Sequence, residues 1–318
     1  MKTENQFSIN ALNVKTMNKI AVVVPTIRPE SWEVFLSKWV DLFEKHKVYL
    51  IKVNDGTDYP VIEASDFAQF DETIVVYNKF PKSPWLFNKS DCCRNAGFWA
   101  AYKWGAEIII SLDDDVYPAG DPIQDHINAL SMSVSPTWIS TAQDWRVRGI
   151  PVGGEKWPVM LSHGVWNGVP DFDAPTQFLN PDVKDVAFNK TSIPKGALFP
   201  LCAMNFAFRR ELMPYVYQAP MGKRLAEYDL PVGDRFADIW SGVVLKRWMD
   251  TQGYAAVTGY ATIYHSRASN VFANMKKESI FMELNEDFDN QFHNNNDNPH
   301  PYVILYKSCL EQWSAALG

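Results

Sequence analysis

Short runs of apolar, β-branched residues alternate with longer segments of helical periodicity in the first third of the chain. Four such runs have the character of buried strands, at residues 20–25, 48–53, 72–77 and 106–112. Residues 31–45 repeat aromatic side chains along one helical face, and residues 89–105 form a second predicted helix. Strands that alternate with helices predict an α/β fold: one domain with a doubly wound, mostly parallel sheet flanked by helices.

The fourth predicted strand ends in Asp113-Asp114-Asp115. In α/β sheets, ligands bind just beyond the carboxyl ends of the strands. Side chains two residues apart in an extended chain point the same way, so we expect Asp113 and Asp115 to converge. Convergent carboxylates suit Mg²⁺ or Mn²⁺, hard cations that often bridge to a phosphate. A solvated acidic turn is the alternative interpretation.

Bulk composition excludes several classes of protein. A net charge of −7 over 318 residues argues against nucleic-acid binding, which normally requires a basic face. The four cysteines show neither metal-type spacing nor a disulfide framework, and therefore predict reduced thiols in the cytoplasm. No run approaches the roughly 18 apolar residues of a membrane span, so no transmembrane segment is expected. Residues 1–18 are polar and predict a flexible N-terminal tail.

The remainder of the chain divides into three parts. The predicted ligand-binding domain extends over residues 19–284, and its Gly-, Pro- and Trp-rich stretch at residues 151–200 is typical of long loops that build a site. Residues 285–301 are rich in Asn and Asp and predict a mobile loop. Apolar residues at three- and four-residue steps predict an amphipathic helix at residues 302–318. That helix either docks onto the domain or contacts another subunit, so a homo- or hetero-oligomer is open.

The usual nucleotide-binding loops are absent from the sequence, both Gly-x-Gly-x-x-Gly and Gly-x-x-x-x-Gly-Lys-Ser/Thr. A metal-bridged diphosphate is another way to hold a nucleotide. Asp55, at the end of the second strand, is a candidate acceptor for a base imide N–H, and Arg94 is a candidate to face the base or diphosphate. Thr26 and Arg28, in the loop that leaves the first strand, are further candidate contacts. In this order the segments resemble glycosyltransferases of the GT-A fold, which bind nucleotide-sugars through an Asp-x-Asp metal site.

Later motifs are similar to those of the reversibly glycosylated polypeptide family, which includes the UDP-arabinopyranose mutases. The matching motifs are Ser162-His163-Gly164-Val165-Trp166, Pro170-Asp171-Phe172-Asp173-Ala174-Pro175-Thr176-Gln177, Ile193-Pro194-Lys195-Gly196, Leu198-Phe199-Pro200, Met204-Asn205, His265-Ser266-Arg267-Ala268-Ser269-Asn270 and Lys276-Lys277-Glu278. Together with the three aspartates they cover about residues 22–278 in order. Ordered strings of this length are far more specific than an isolated Asp-x-Asp.

The resemblance implies a metal site and a phosphate contact. Asp113 and Asp115 match the metal-binding positions, and His265 lies where GT-A enzymes often supply a further ligand to Mn²⁺ or Mg²⁺. A hydrogen-bonded structural histidine is the alternative for His265. Lys195 is a candidate to offset phosphate charge, although lysines in loops usually face only solvent.

The resemblance also implies catalytic candidates. Asp238 matches one acidic residue of the family's Asp-Asp-x-Trp and is a candidate to contact sugar hydroxyls or move protons; Asp114, within the acidic run, is a second catalytic candidate. Arg148 matches the arginine that family members glycosylate on themselves, and the alternatives are that it mainly holds the diphosphate or that it buttresses a loop. Two positions depart from the family pattern, Glu155 in place of a second arginine and Ala237 in place of an aspartate.

These expectations lead to three functional hypotheses. The first is a metal-dependent enzyme that cleaves the anomeric C–O bond of a UDP-sugar, as a UDP-arabinopyranose mutase that interconverts pyranose and furanose forms. Such a mutase requires a dry pocket, which loops in residues 157–200 are expected to supply. The second is a glycosyltransferase that acts on itself or on an outside acceptor. The third is a non-catalytic subunit that binds a nucleotide-sugar.

Overall fold

The computed structural model describes residues 19–56, 61–66, 75–77, 83–142, 145–266, 269–294 and 298–318. The predicted N-terminal tail, residues 1–18, lies outside the described residues. Within the described part of the chain, no helix combines the length and the apolar character that crossing a bilayer requires.

The strands of the described residues form one extended sheet. They are β1 (Ile20–Thr26), β2 (Tyr49–Asn54), β3 (Val61–Asp66), β4 (Val75–Tyr77), β5 (Ile108–Leu112), β6 (Val116–Pro118), β7 (Ser133–Val134), β8 (Trp157–Gly168), β9 (Thr191–Ser192), β10 (Asn205–Arg209) and β11 (Ala255–His265). Their order is β4-β3-β2-β1-β5-β10-β8-β11-β6, with β7 on β8 and β9 on β11. The predicted strands at residues 20–25, 48–53 and 106–112 correspond to β1, β2 and β5. The predicted strand at residues 72–77 lies partly outside the described residues and is represented by β4.

The sheet is mixed in direction. The pairs β1–β2, β1–β5 and β8–β11 are parallel, and the other described pairings are antiparallel. The α/β class is confirmed, and the parallel centre β2-β1-β5 agrees with the predicted doubly wound pattern. Antiparallel strands extend that centre on both sides, including β3, whose polar sequence gave no clear strand signal.

Helices cover both faces of the sheet. They are α1 (Pro29–His46), α2 (Arg94–Trp104), α3 (Pro122–Leu130), α4 (Ala174–Leu179), α5 (Ala237–Gln252), α6 (Val271–Glu278), α7 (Met282–His293) and α8 (Pro301–Leu317). Side chains of β1 alternate between two cores: Ala21 and Val23 pack with α2, α5, α7 and α8, whereas Val22 and Val24 pack with α1 and α3. The strand is apolar throughout because both of its faces are buried.

The mobile loop predicted at residues 285–301 is wrong for most of its length, because α7 occupies its first part. Leu284, Phe288 and Phe292 are buried at four-residue spacing, while the many Asn and Asp residues lie on the outer side of the helix. The C-terminal helix is confirmed as α8. Tyr306 and Trp313 of α8 are buried in the core of the same domain, so docking is the observed role of this face.

Parallel pairing brings the carboxyl ends of β1, β2 and β5 to one edge of the sheet. Helix α2 approaches that part of the sheet closely at Gly97, where a Cβ atom would lie 2.3 Å from a methyl group of Val23 and 2.8 Å from one of Val53. Only glycine permits this approach. The contact fixes the start of α2, and therefore Arg94, against the strand ends.

Candidate functional site

Two adjoining cavities open at this edge of the sheet. The first, of about 530 Å³, is lined by Asp238 and will be called the Asp238 cavity. The second, of about 670 Å³, is lined by Asp55 and will be called the Asp55 cavity. Six residues line both cavities and will be called the junction residues: Arg28, Asp91, Arg94, Asp113, Asp115 and Arg235. A ligand with two chemically different ends and a charged centre fits this arrangement.

The three consecutive aspartates have separate surroundings. Asp113 and Asp115 both line the two cavities, as expected for side chains two residues apart. Asp114 points toward the loop after β1, where its Oδ2 accepts a hydrogen bond of 2.5 Å from the Thr26 hydroxyl and its Oδ1 pairs with Arg28. Asp114 is 3% exposed. It therefore anchors this loop, and its predicted catalytic role finds no support because its carboxylate is paired with Arg28 and does not line the Asp238 cavity.

Arg94 is a buried cation at the start of α2, only 1% exposed. One terminal amino group donates to the Ser111 hydroxyl (3.0 Å) and the Leu112 carbonyl (3.1 Å), and the other pairs with Asp113. The Nε atom has no hydrogen-bond partner among the described residues. Arg94 thus holds Asp113 in place at the junction.

His265 meets Asp115 because of strand register. β11 pairs with β6 so that His265 lies opposite Val116, the residue after Asp115. The Nδ1 atom of His265 lies 2.7 Å from the Val169 carbonyl, and its Nε2 atom lies 4.0 Å from Asp115 Oδ1. A proton on Nδ1, donated to that carbonyl, leaves the Nε2 lone pair directed toward Asp115, which is the arrangement that metal-ligating histidines use.

The predicted metal triad is nevertheless not preassembled. Among the described residues, no three carboxylate, cysteine or histidine side chains are placed to hold an ion. Asp113 is turned to Arg94, which leaves Asp115 and His265 as a facing pair. Burial, followed by the charge of Asp113, raises the pKa of Asp115 above its usual range. The chemistry of this pair fits a divalent cation whose other ligands come from elsewhere, including a phosphate.

Asp55 has an unused acceptor in the Asp55 cavity. Its Oδ2 accepts a hydrogen bond from the Ser90 backbone N–H at 3.1 Å. Its Oδ1 is buried and has no hydrogen-bond partner among the described residues. Burial raises the pKa of Asp55 to about 7. A buried acceptor without a partner is costly, so a ligand N–H at this position would be favourable.

Asp238 lies in the first turn of α5. Its Oδ2 accepts from the Ala203 backbone N–H and its Oδ1 from that of Ile239, each at 2.9 Å. Burial, and then the charges of Asp91 and Asp171, raise the pKa of Asp238 well above the ordinary value of an aspartate. A carboxyl group that is held in place and titrates near neutrality is suited to proton transfer.

Two predicted site residues lie elsewhere. Lys195 is exposed, and its ammonium group lies 5.2 Å from the centre of the Trp157 ring. Arg148 is also exposed. Neither lines the Asp238 cavity or the Asp55 cavity. The structure therefore brings neither residue to the two cavities, because a shared motif does not specify which way a loop directs its side chains.

The two departures from the family pattern also lie outside the cavities. Ala237, the first residue of α5, is fully buried in the core, while Asp238 faces the cavity. Glu155 is exposed and lines neither cavity. Neither substitution removes a charged group from the cavity walls.

Sequence reasoning did not single out several of the lining residues. Asp171 accepts a hydrogen bond of 3.0 Å from the Cys202 thiol in the Asp238 cavity. Arg235 is a junction residue and pairs with Glu278 at 2.6 Å. Asp171 and Glu278 occur within the family motifs, which is the signal that was available. Nothing in the local sequence marks Arg235.

Negative charge dominates the site. Of the described residues that line the two cavities, ten are carboxylates and five are Arg or Lys. Most of the arginine charge is already paired with carboxylates. An anionic ligand therefore needs an added cation to bind at the junction, which agrees with the fit of the Asp115–His265 pair.

Comparisons with known proteins identify the family. The model of the family described as "Reversibly glycosylated polypeptide" matches residues 15–302. "Probable UDP-arabinopyranose mutase 1" of Pisum sativum is 36% identical over 281 residues, covering 82% of this chain and 73% of the pea protein. "UDP-arabinopyranose mutase 3" of Arabidopsis thaliana is 35% identical over 281 residues, covering 82% of this chain and 74% of that protein.

A solved structure of glucosyl-3-phosphoglycerate synthase from Mycobacterium tuberculosis, in complex with Mn²⁺, UDP-glucose and phosphoglyceric acid, is 14% identical. The match covers 85% of this chain and 79% of that protein's chain, with a TM-score of 0.41. The match to the family model and the two plant relatives identify the family. The chain belongs to the reversibly glycosylated polypeptide family.

Proposed function

We propose that the protein binds a UDP-sugar across the two cavities and acts as a UDP-arabinopyranose mutase. The partnerless Oδ1 of Asp55 is the single observation that carries the nucleotide part, because uracil presents an imide N–H that this atom can accept. The relatives named as mutases support the reaction. The sugar then occupies the Asp238 cavity, and the diphosphate lies at the junction.

A divalent cation, Mn²⁺ or Mg²⁺, completes the proposed site. Asp115 and His265 would hold it together with the diphosphate, and Asp113, which pairs with Arg94 through one oxygen, would be a further ligand. When bound, such an ion would offset the negative charge of the diphosphate as a leaving group. Thr26 supports this arrangement by holding Asp114, and Arg28 contacts both Asp114 and Asp115, the latter at 3.4 Å.

Asp238 is the proposed proton carrier. In the conversion of an arabinopyranose to a furanose, the C1–O bond to the diphosphate breaks first, and the 4-hydroxyl oxygen bonds to C1 as it gives up its proton. The bond from C1 to the original ring oxygen then breaks as that oxygen takes a proton, and UDP returns to C1. The net result moves one proton from the 4-hydroxyl to the former ring oxygen. A carboxyl group with a pKa raised toward neutrality accepts and returns such a proton.

Incubation with labelled UDP-arabinopyranose and Mn²⁺ tests the proposal. UDP-arabinofuranose is expected among the separated nucleotide-sugars, with no second protein present. Labelled UDP-glucose and UDP-galactose run in parallel, and protein-bound label is counted in each case. If label accumulates on protein or acceptor while no UDP-arabinofuranose forms, the mutase reaction is contradicted.

Transfer to an acceptor is the second candidate. Arg148 is exposed, as an acceptor for glycosylation must be, but it lies outside both cavities. Self-glycosylation at Arg148 would therefore proceed between two copies of the chain, and its rate would rise with the square of protein concentration. The third candidate, a non-catalytic binding subunit, loses its motivation because Ala237 and Glu155 lie outside the cavities.

Compartment and assembly are also part of the proposal. All four cysteines are free and buried, which suits the reducing cytoplasm. Any homo- or hetero-oligomer must use a surface other than the apolar face of α8, since that face is already buried against its own domain.

A further inference from the structure

Arg235 occupies a position that no motif indicates. It precedes α5 and is one of the six junction residues. About a quarter of its side chain (26%) is exposed, so the guanidinium group is accessible from the cavities. The residue thus reaches the point where the two cavities meet, which is where the proposed function places the diphosphate.

The three arginines among the junction residues differ in how many of their N–H donors already have a hydrogen-bond partner. Both terminal amino groups of Arg94 are used, one of them on Asp113. Arg28 directs its Nε and one terminal amino group to Asp114, and that amino group also donates to Asp115. Arg235 uses only its Nε, and neither of its terminal amino groups makes a hydrogen bond to the described residues. Arg235 is therefore the junction arginine with the most donor capacity left for a ligand.

A buried carboxylate orients this donor group. Glu278, 4% exposed, accepts the Nε–H of Arg235 at 2.6 Å through Oε1. Its Oε2 accepts the backbone N–H of Ala174, the first residue of α4, at 2.7 Å. Because guanidinium is planar, fixing Nε also fixes the direction of the two terminal amino groups. The two terminal amino groups, which form a planar fork, are therefore oriented before any ligand binds.

The backbone at Arg235 is also unusual. Its φ of 75° places it in the left-handed region, which non-glycine residues seldom adopt. Its own N–H donates to the Asp234 side chain at 3.0 Å. Conformations of this kind are strained and occur preferentially at functional sites. This strain is a second, independent sign that the position of Arg235 serves a purpose other than packing.

We propose that Arg235 binds the diphosphate of the nucleotide-sugar with its two free amino groups. The inference rests on the proposed function and extends it. A diphosphate at the junction faces mostly carboxylates, and the planar fork of an arginine matches two phosphate oxygens at once. Arg235 is thus a substrate-positioning residue supplied from the α5 side, opposite the acidic strand end.

Titration calorimetry with uridine and with UDP, both in the presence of Mn²⁺, tests this role. It distinguishes phosphate binding from a purely structural role in which Arg235 only links α4 and α6 through Glu278. Arg235→Gln is expected to weaken UDP binding by about 10- to 100-fold, because a charge-assisted hydrogen bond to phosphate is lost. Uridine, which has no phosphate, is expected to bind within about twofold of wild type. Arg235→Lys keeps the charge but not the fork, and an intermediate loss for UDP is expected.

Arg247→Gln is the matched control, since Arg247 lies on α5, pairs with Asp289 and lines neither cavity. It should leave the affinities for UDP and uridine unchanged. Glu278→Gln tests orientation and should weaken UDP less than Arg235→Gln does. If Arg235→Gln does not fold, the ratio of UDP affinity to uridine affinity measured for Arg235→Lys tests the same role.

An unchanged ratio in the Arg235 variants, with a wild type that binds UDP, would overturn the role of Arg235 and leave the proposed function intact. A wild type that binds neither uridine nor UDP would overturn both. These two failures are distinguishable within one set of titrations.

Discussion

The Asp55 cavity and the Asp238 cavity are built in different ways. The first is made where parallel strands end side by side, and its Asp55 follows directly from β2. The second is assembled from the segment before α4, the Leu201–Met204 stretch, the start of α5 and the end of β11. The Asp55 cavity, the proposed nucleotide half of the site, follows from local sequence pattern. The Asp238 cavity, the proposed sugar half, follows from long-range packing. Substitutions in the two halves should therefore affect different steps, binding in the first and turnover in the second.

Asp238→Asn is expected to have the largest effect. An amide cannot take and return a proton, so turnover should fall by about 10²–10⁴-fold. UDP affinity should stay within about twofold, because Asp238 lies in the sugar half. Chromatographic assay of UDP-arabinofuranose measures the first quantity and calorimetry the second. Glu155→Gln, exposed and outside the cavities, serves as the control. An equal loss of UDP affinity would break the proposed division between the halves.

Asp55→Asn should act on the nucleotide half alone. Its amide oxygen would accept the Ser90 N–H, and its NH₂ group would then face the base in place of an acceptor. Uridine affinity should fall by about 10- to 100-fold, the worth of a hydrogen bond to a charged group. Cytidine, which presents an acceptor where uracil has its N–H, should gain affinity. Calorimetry with both nucleosides checks the exchange, and unchanged discrimination would contradict the assignment.

The pKa of Asp55 predicts how uridine binding varies with pH. Burial raises this pKa to about 7, so the carboxylate that accepts the imide N–H predominates only above pH 7. Uridine should bind about tenfold more weakly at pH 6 than at pH 8, since the ionised fraction falls by that factor. Uridine itself does not titrate between these values. The slope should disappear in Asp55→Asn, and a slope that survives in the variant would assign the titration to another group.

Gly97→Ala tests the close packing of α2 on the sheet, which positions Arg94 where the two cavities meet. The added methyl group would meet Val23 and Val53 at distances that no real Cβ contact shows. We expect a loss of about 1–3 kcal/mol in the free energy of unfolding, measured by urea denaturation. UDP affinity should also fall, because Arg94 moves with the helix. Gly153→Ala, with open space around its Cβ position, should change neither quantity.

Arg148→Gln and Lys195→Gln should have the smallest effects. Both side chains are exposed and outside the cavities, so UDP affinity should remain within about twofold. Calorimetry and the turnover assay measure both variants against wild type. A tenfold loss of turnover in Arg148→Gln would instead place this arginine in the reaction and favour transfer to the protein itself.

The sequence predicted the residues of the Asp55 cavity better than those of the Asp238 cavity. Thr26, Asp55 and the three aspartates lie together because parallel strands end at a common edge, a consequence that alternating patterns already predict. Arg148 and Lys195 lie outside the two cavities, because family motifs identify the chain without specifying the direction of loop side chains. The loop predicted at residues 285–301 is wrong because polar composition concealed the four-residue spacing of the buried side chains of α7.

By itself, the sequence determined the α/β class, the acidic strand end and membership of the reversibly glycosylated polypeptide family. These properties depend on patterns along the chain, such as apolar periodicity and ordered motifs. Only the tertiary structure decided which charges meet. The register of β11 on β6 brings His265 to Asp115, and the packing of α6 against α4 directs Glu278 to Arg235. Such contacts arise from long-range packing, which no local pattern encodes.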